Sequence, residues 1–162
     1  MTKFSIFLVA CISLALLFAC NQERGPVLEE LDLMSYQMPI VIQAPAGAEV
    51  KKLDLVIQKD ITVKKGDDFY IQIFESDATE RDLEKVKERM ISEVKQNPYF
   101  SEILMEEERG FIYKTQIDST RTNYGFRYAR IQADKEYTFQ AGMIGIFSMD
   151  QVETMYNAVK EK

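Results

Sequence analysis

Lys65-Gly66-Asp67-Asp68-Phe69-Tyr70-Ile71-Gln72-Ile73-Phe74 runs through Glu75-Ser76-Asp77-Ala78-Thr79-Glu80-Arg81-Asp82 to Leu83, and along it the chain changes period. Phe69, Ile71 and Ile73 alternate with Tyr70, Gln72 and Phe74, the two-residue repeat of a strand. Lys65-Gly66-Asp67-Asp68 before it is turn chemistry, since Gly accepts left-handed backbone and Asp bonds its own main chain. Beyond Asp77 the apolar residues fall at Leu83, Val86, Met90, Ile91 and Val94, one face of a helix. Thr79 and Asp82 fit a capping box, Asp77 is the competing N-cap, and Asn97-Pro98 ends the run. The spacing predicts a helix over 80–97. Its other face carries Glu84, Lys85, Glu88 and Glu93 and reads as solvated.

Strand signals flank this segment on both sides. Pro39-Ile40-Val41-Ile42 ends at the turn cluster Pro45-Ala46-Gly47. Leu53 to Val63 is rich in β formers, with Leu55, Ile57, Ile61 and Val63 on one parity, and it joins Phe69–Phe74 as a hairpin or meander. Phe111, Tyr113, Thr115 and Ile117 share a parity, as do Tyr124, Phe126 and Tyr128. Ala133-Asp134-Lys135-Glu136 reads as a hairpin connection into Tyr137-Thr138-Phe139 and on to Met143-Ile144. Ser148 and Gln151 then form a capping box, and Met149, Val152, Met155, Tyr156 and Val159 line one face of a helix over 149–160. Strands, helix, strands, helix predicts a single α+β domain over 27–162, mainly an antiparallel sheet packed by two helices.

Upstream of that domain the chain is built for export. Lys3 is a brief positive region, and Phe4 to Phe18 is apolar but for Ser5, Ser13 and the small Cys11. Those 15 residues would rise about 22 Å as a helix, short of the ~30 Å of a hydrocarbon core. Leu17-Phe18-Ala19-Cys20 closes the run and resembles a bacterial lipobox, with Phe18 where a small or β-branched residue is usual. The resemblance implies a signal peptide over 1–19, cleavage after Ala19, and Cys20 diacylated on sulfur as the new N-terminus. The alternative is an ordinary secretory signal with Cys20 a bystander. Residues 20–26 then form a short lipidated tether containing Gly25-Pro26. Several acyl chains on Cys20 suffice for stable attachment to a bilayer, the partner this reading names. It places the protein in the bacterial cell envelope, facing the periplasm, with the outer surface the weaker option because only Glu23, beside Arg24, supplies an acid after the cysteine.

Absences restrict the chemistry further. The chain has no His and no Trp, and the two cysteines are Cys11, lost with the signal, and Cys20, spent on lipid. No imidazole base, His-containing zinc site or thiolate nucleophile can be built from what remains. Carboxylates, Lys, Tyr and Ser are left. Net charge is −6, and −7 once Lys3 is removed, which argues against nucleic-acid binding and a polybasic membrane patch.

Within this acidic chain the interval from Asp118 to Asp134 holds Arg121, Arg127 and Arg130 and no acid, interleaved with Tyr124, Phe126 and Tyr128. Arg127, Tyr128 and Arg130 are the candidate partner-binding residues, because a guanidinium forks onto carboxylates and stacks on Tyr. Alternation puts Arg127 opposite Tyr124, Phe126 and Tyr128, and Arg130 on their side; the competing reading is a solvated strand face paired to nearby acids. Asp67-Asp68 reads as a turn and Asp77, Glu80 and Asp82 as helix-start charge; neither has calcium-loop spacing. Glu106-Glu107-Glu108-Arg109 is a solvated connection. Gly142 and Gly145 mark a bulge or close strand approach, not a phosphate loop. The scattered methionines are core packing. The sequence assigns no catalytic residue, no metal and no cofactor.

With Pro45-Ala46-Gly47, the hairpin about Gly66, and Tyr137 to Ser148 leading into the last helix, most of the mature chain resembles the exported PsbP-like fold, which includes DcrB-like lipoproteins. That resemblance implies a binding or assembly scaffold without shared catalytic residues. The expected function is a membrane-anchored, non-enzymatic binding or assembly module for an envelope protein or small ligand. Alternatives are a structural subunit of an envelope complex, marked by exposed apolar surface at Tyr99-Phe100 or Tyr156, and a carboxylate-based hydrolase.

Overall fold

Alternating strands carry most of the architecture of this protein, whose structure, a computed structural model, describes residues 26–54 and 58–161. Strands β3 (Glu49–Asp54), β4 (Lys59–Lys65), β5 (Phe69–Asp77), β6 (Phe100–Glu106), β7 (Gly110–Gln116), β8 (Thr122–Gln132) and β9 (Lys135–Ala141) form one sheet. Their order is β3-β4-β5-β9-β8-β7-β6, and every pairing is antiparallel. A separate ribbon pairs β1 (Leu28–Asp32) with β2 (Val41–Pro45). The two helices are α1 (Leu83–Lys95) and α2 (Met149–Val159). The α+β domain with a mainly antiparallel sheet and two helices is therefore as the sequence predicts.

The helices lie on opposite faces of the sheet. On one face Ile61, Val63, Phe69, Ile71, Ile73, Phe126, Tyr137 and Phe139 meet the ribbon and the Val152, Met155, Tyr156 and Val159 stripe of α2. Full burial of such side chains is worth about 1.5–3 kcal/mol each, so this layer is the main source of stability. On the other face Val86, Met90 and Val94 of α1 cover Phe111 and Ala129, with Phe100, Ile103, Tyr113 and Ile131 around them. That second layer reaches only β6, β7 and β8, and the β3-β4-β5-β9 half of the same face is left without a helix over it.

Several boundaries differ from the sequence reading. Helix α1 begins at Leu83, not 80, because Asp82 is the residue that caps it, accepting from the Glu84 N–H at 3.0 Å. Glu80 instead accepts from the Arg81 and Asp82 N–H groups at 2.8 and 3.0 Å, holding a turn, and Asp77 is paired with Lys135. The Ser148–Gln151 capping box is present as expected, but α2 ends at Val159 and Lys160 is extended. Leu53 to Val63 is not one strand but the adjoining ends of β3 and β4; Leu55 and Ile57 lie outside the described residues, as do Ala19 and Cys20. Strand β6 escapes periodicity because its register shifts twice against β7, breaking the two-residue repeat. Strand β9 stops at Ala141, so Met143 and Ile144 belong to the loop before α2.

Register sorts the loops into two ends. Lys65 pairs with Phe69, the Gly142 N–H donates to the Tyr70 carbonyl, and the Tyr124 N–H donates to that of Phe147. The β4–β5 turn, the 142–147 loop and the start of β8 thus share one end. Leu28 pairs with Pro45, whose carbonyl accepts from the Ala48 N–H just before β3. The chain therefore enters the domain at that same end. The β8–β9 turn at Ala133-Asp134 and the ends of β3 and β5 lie at the other.

Candidate functional site

Strand pairing assembles a transverse polar row on the face that α1 half covers. Thr62 sits opposite Gln72, Gln72 opposite Gln140, Gln140 opposite Arg127 and Arg127 opposite Phe111. Arg127 thus stands where the bare half of the sheet meets the helix-covered half. Gln140 and Gln72 are buried and bonded to each other, Nε2 to Oε1 at 3.2 Å, and Gln72 Oε1 also accepts from the Met143 N–H at 3.1 Å.

Two clefts open from this row, and Arg127 and Gln140 line both. The larger, about 630 Å³, runs toward Phe74, Thr138, Arg89, Glu93 and Glu136. It is charged in both signs, with Arg89 ion-paired to Glu136 and to Glu93. The smaller, about 240 Å³, is lined by Asn97, Tyr113, Asn123 and Tyr124 beside Arg127 and contains no carboxylate. Gly125 makes room for it: a Cβ there would lie 2.7 Å from the Tyr113 ring, so only Gly lets that ring cross β8. Asp60, two strands from the row's centre, keeps a buried and unbonded Oδ1, and burial raises its carboxyl above the usual range.

The three candidate arginine-strand residues do not form one surface. Arg127 is half-buried, its Nε is enclosed without a hydrogen-bond partner, and its side chain makes no ion pair among the described residues. Tyr128 is 5% exposed and packs edge-on against Phe139 and Tyr156 at 5.9 and 6.0 Å between ring centres. Arg130, also 5% exposed, donates from Nη2 to the Val159 carbonyl at 2.8 Å and sits 3.1 Å from Glu161 Oε1. Tyr128 and Arg130 as partner contacts are thus corrected: α2 covers them, and Arg130 satisfies the end of that helix. Arg121, free of acids in sequence, is bound to Asp118 at 2.6 Å.

Other candidates resolve locally. Gly142 is a close approach, since a Cβ would come within 2.2 Å of the Tyr70 ring. Glu107 accepts from Tyr156 Oη at 3.1 Å and Lys160 Nζ at 2.7 Å, more than a solvated connection. Tyr156 is buried, so the apolar marker named for it is absent, while Tyr99 is half exposed. A third groove of about 450 Å³ lies between β2 and the end of α2, with Arg130, Glu161 and Glu30 on its walls. The residues that sequence reasoning missed are Gln72, Asn123 and Gln140. Only their position opposite core residues in alternating strands marks them, and that signal is shared by any solvated strand.

Comparison with protein-family models, curated proteins and solved structures found no match for this chain. Among the described residues no helix is long and apolar enough to cross a membrane.

Proposed function

We propose that this chain is a non-enzymatic binding or assembly module of the bacterial cell envelope. In this reading acylated Cys20 holds it on a bilayer, and the Arg127 row takes an acidic partner protein or anionic small ligand. The observation that carries the proposal is Arg127 itself, a half-buried guanidinium lining both clefts that makes no ion pair among the described residues. Because Arg127 is only half-buried and makes no ion pair among the described residues, a carboxylate or phosphate meeting its exposed part gains a charge-assisted bond. Gln140, Asn123 and Tyr113 around it are uncharged donors and acceptors suited to orienting such a group. The absence of His from the sequence, with Cys11 removed and Cys20 acylated in this reading, favours binding over covalent chemistry.

The test is recovery of partners from membranes with the tagged full chain and its Arg127→Ala variant, each identified by mass. Species retained by the parent should be lost or depleted with the variant, while the thermal midpoint moves little. Equal recovery at equal stability would remove this row from consideration.

A further inference from the structure

Exposed apolar side chains are unevenly distributed over this domain. Among the described residues, the three large apolar residues most open to solvent are Val27 at 85%, Ile144 at 81% and Met143 at 76%, with Met34 at 59% and Ile146 at 57% next. Val27, Met143, Ile144 and Ile146 sit at one end of the sheet, the end where the chain enters the domain, while Met34 and Leu53 stand apart toward the other. Single exposed apolar residues are ordinary, but three within four positions of one loop are a patch.

The loop is also built to hold that patch outward. Its start is tied by the Gly142 N–H on the Tyr70 carbonyl at 2.8 Å and the Met143 N–H on Gln72 Oε1 at 3.1 Å. At its other end Phe147 is buried, donating its N–H to Asn123 Oδ1 at 2.7 Å. Gly145, at φ +138°, takes a backbone conformation that a side chain would strain. Between these fixed points Met143, Ile144 and Ile146 remain uncovered by the other described residues.

The tether says what covers them. Six Cα steps separate Cys20 from Pro26, a reach of at most about 20 Å. The 142–147 loop is on β9, three strands from β3, or about 14 Å across the sheet at ordinary strand spacing. A bilayer holding acyl chains on Cys20 would therefore lie within reach of this end. Charge permits the approach, since Lys64, Lys65 and Arg121 stand among Asp67, Asp68 and Asp118 at this end.

We propose that the 142–147 loop is a second membrane contact, with Met143, Ile144 and Ile146 seated in the interfacial region of the bilayer that carries the lipid anchor. The proposal rests on the lipid-anchor reading of Cys20. The contact fixes the orientation of the domain, with the β8–β9 turn away from the membrane and the Arg127 row standing along its side.

Because the chain has no Trp, Ile144→Trp introduces a single reporter, with Leu53→Trp at the far end as the comparison. Both sites are exposed, so neither change disturbs the core. The full-length chain, expressed in bacteria with labelled palmitate, is reconstituted into phosphatidylethanolamine–phosphatidylglycerol vesicles containing brominated lipid. The Ile144→Trp reporter should be quenched about twofold or more relative to Leu53→Trp, as expected for side chains within ~5–10 Å of the acyl boundary. Equal quenching with Cys20 labelled overturns the loop contact and leaves the anchor standing. Preferential quenching without label on Cys20 keeps the contact and removes the anchor. Neither label nor preferential quenching overturns both.

Discussion

Replacing Arg130 with Ala is the sharpest test of how this fold closes. The guanidinium is 5% exposed, donates to the Val159 carbonyl at 2.8 Å, pairs with Glu161 at 3.1 Å and lies 5.3 Å from the centre of the Phe139 ring. Its hydrogen bond is charge-assisted, worth about 1.5–3 kcal/mol, and its loss leaves a carbonyl at the end of α2 without that donor. The ring contact adds about 0.5–2 kcal/mol. Against this stands the cost of having desolvated the guanidinium, which burial expresses by pulling its pKa down despite Glu161. Glu161 is half-exposed and is re-solvated when its partner goes, so the loss stays below that of a fully buried pair. The expected net loss is about 3 kcal/mol, or roughly 10 °C in midpoint for a domain of this size. Urea unfolding followed by far-ultraviolet circular dichroism would read it as a lower midpoint at unchanged slope. Arg130→Lys should recover only part, since an ammonium cannot fork between the carbonyl and the carboxylate. A loss under about 0.5 kcal/mol would be surface behaviour and would refute the placement of Arg130 beneath α2.

Gly142→Ala should cost about 1–3 kcal/mol because its Cβ meets the Tyr70 ring at 2.2 Å. Urea melts of Tyr70→Ser and the double variant check this, since purely additive losses would show that the ring is no obstacle. Asp118 accepts from the Thr120 N–H and hydroxyl and from Arg121, bonds that hold its carboxyl at about 2. A folded pKa below the unfolded one contributes stability above the ordinary carboxylate range and loses it as pH falls. Asp118→Asn should therefore be less stable than the parent at neutral pH, the gap closing between about pH 4 and about pH 2; a constant gap would contradict the pairing. Cys20→Ser should abolish acyl labelling and leave uncleaved or mislocalised precursor, and normal processing with membrane retention would show that Cys20 is not the anchor.

Much of the fold was legible because its signals are local. The alternation of Phe69, Ile71 and Ile73 is a property of one strand, and the Ser148–Gln151 box is a property of one helical turn. Capping near Thr79 was harder to place, since Thr79, Asp77 and Asp82 all offer suitable oxygens and only the path of the chain selects Asp82. Strands β1, β3 and β6 went unread for different reasons. The ribbon strand β1 buries little, β3 is an edge strand dominated by charge, and β6 is interrupted by register shifts.

The candidate site was half legible. Parity alone separated Arg127 from Tyr128 and Arg130, and that separation is what the sheet displays. Parity could not say which side would be covered.

By itself the sequence determined the secondary-structure types, the α+β class and the exclusion of imidazole chemistry, because each follows from residue identity or from spacing within a few turns. Tertiary structure alone decided that α1 and α2 take opposite faces and that α1 stops short of half its face. It also brought Glu161 to Arg130 across 31 positions of chain while leaving Arg127 without an acid among the described residues. The physical reason is that partners for a charge are chosen by which elements pack together. That is settled by the summed burial of two apolar layers and not by anything within reach of the charge along the chain.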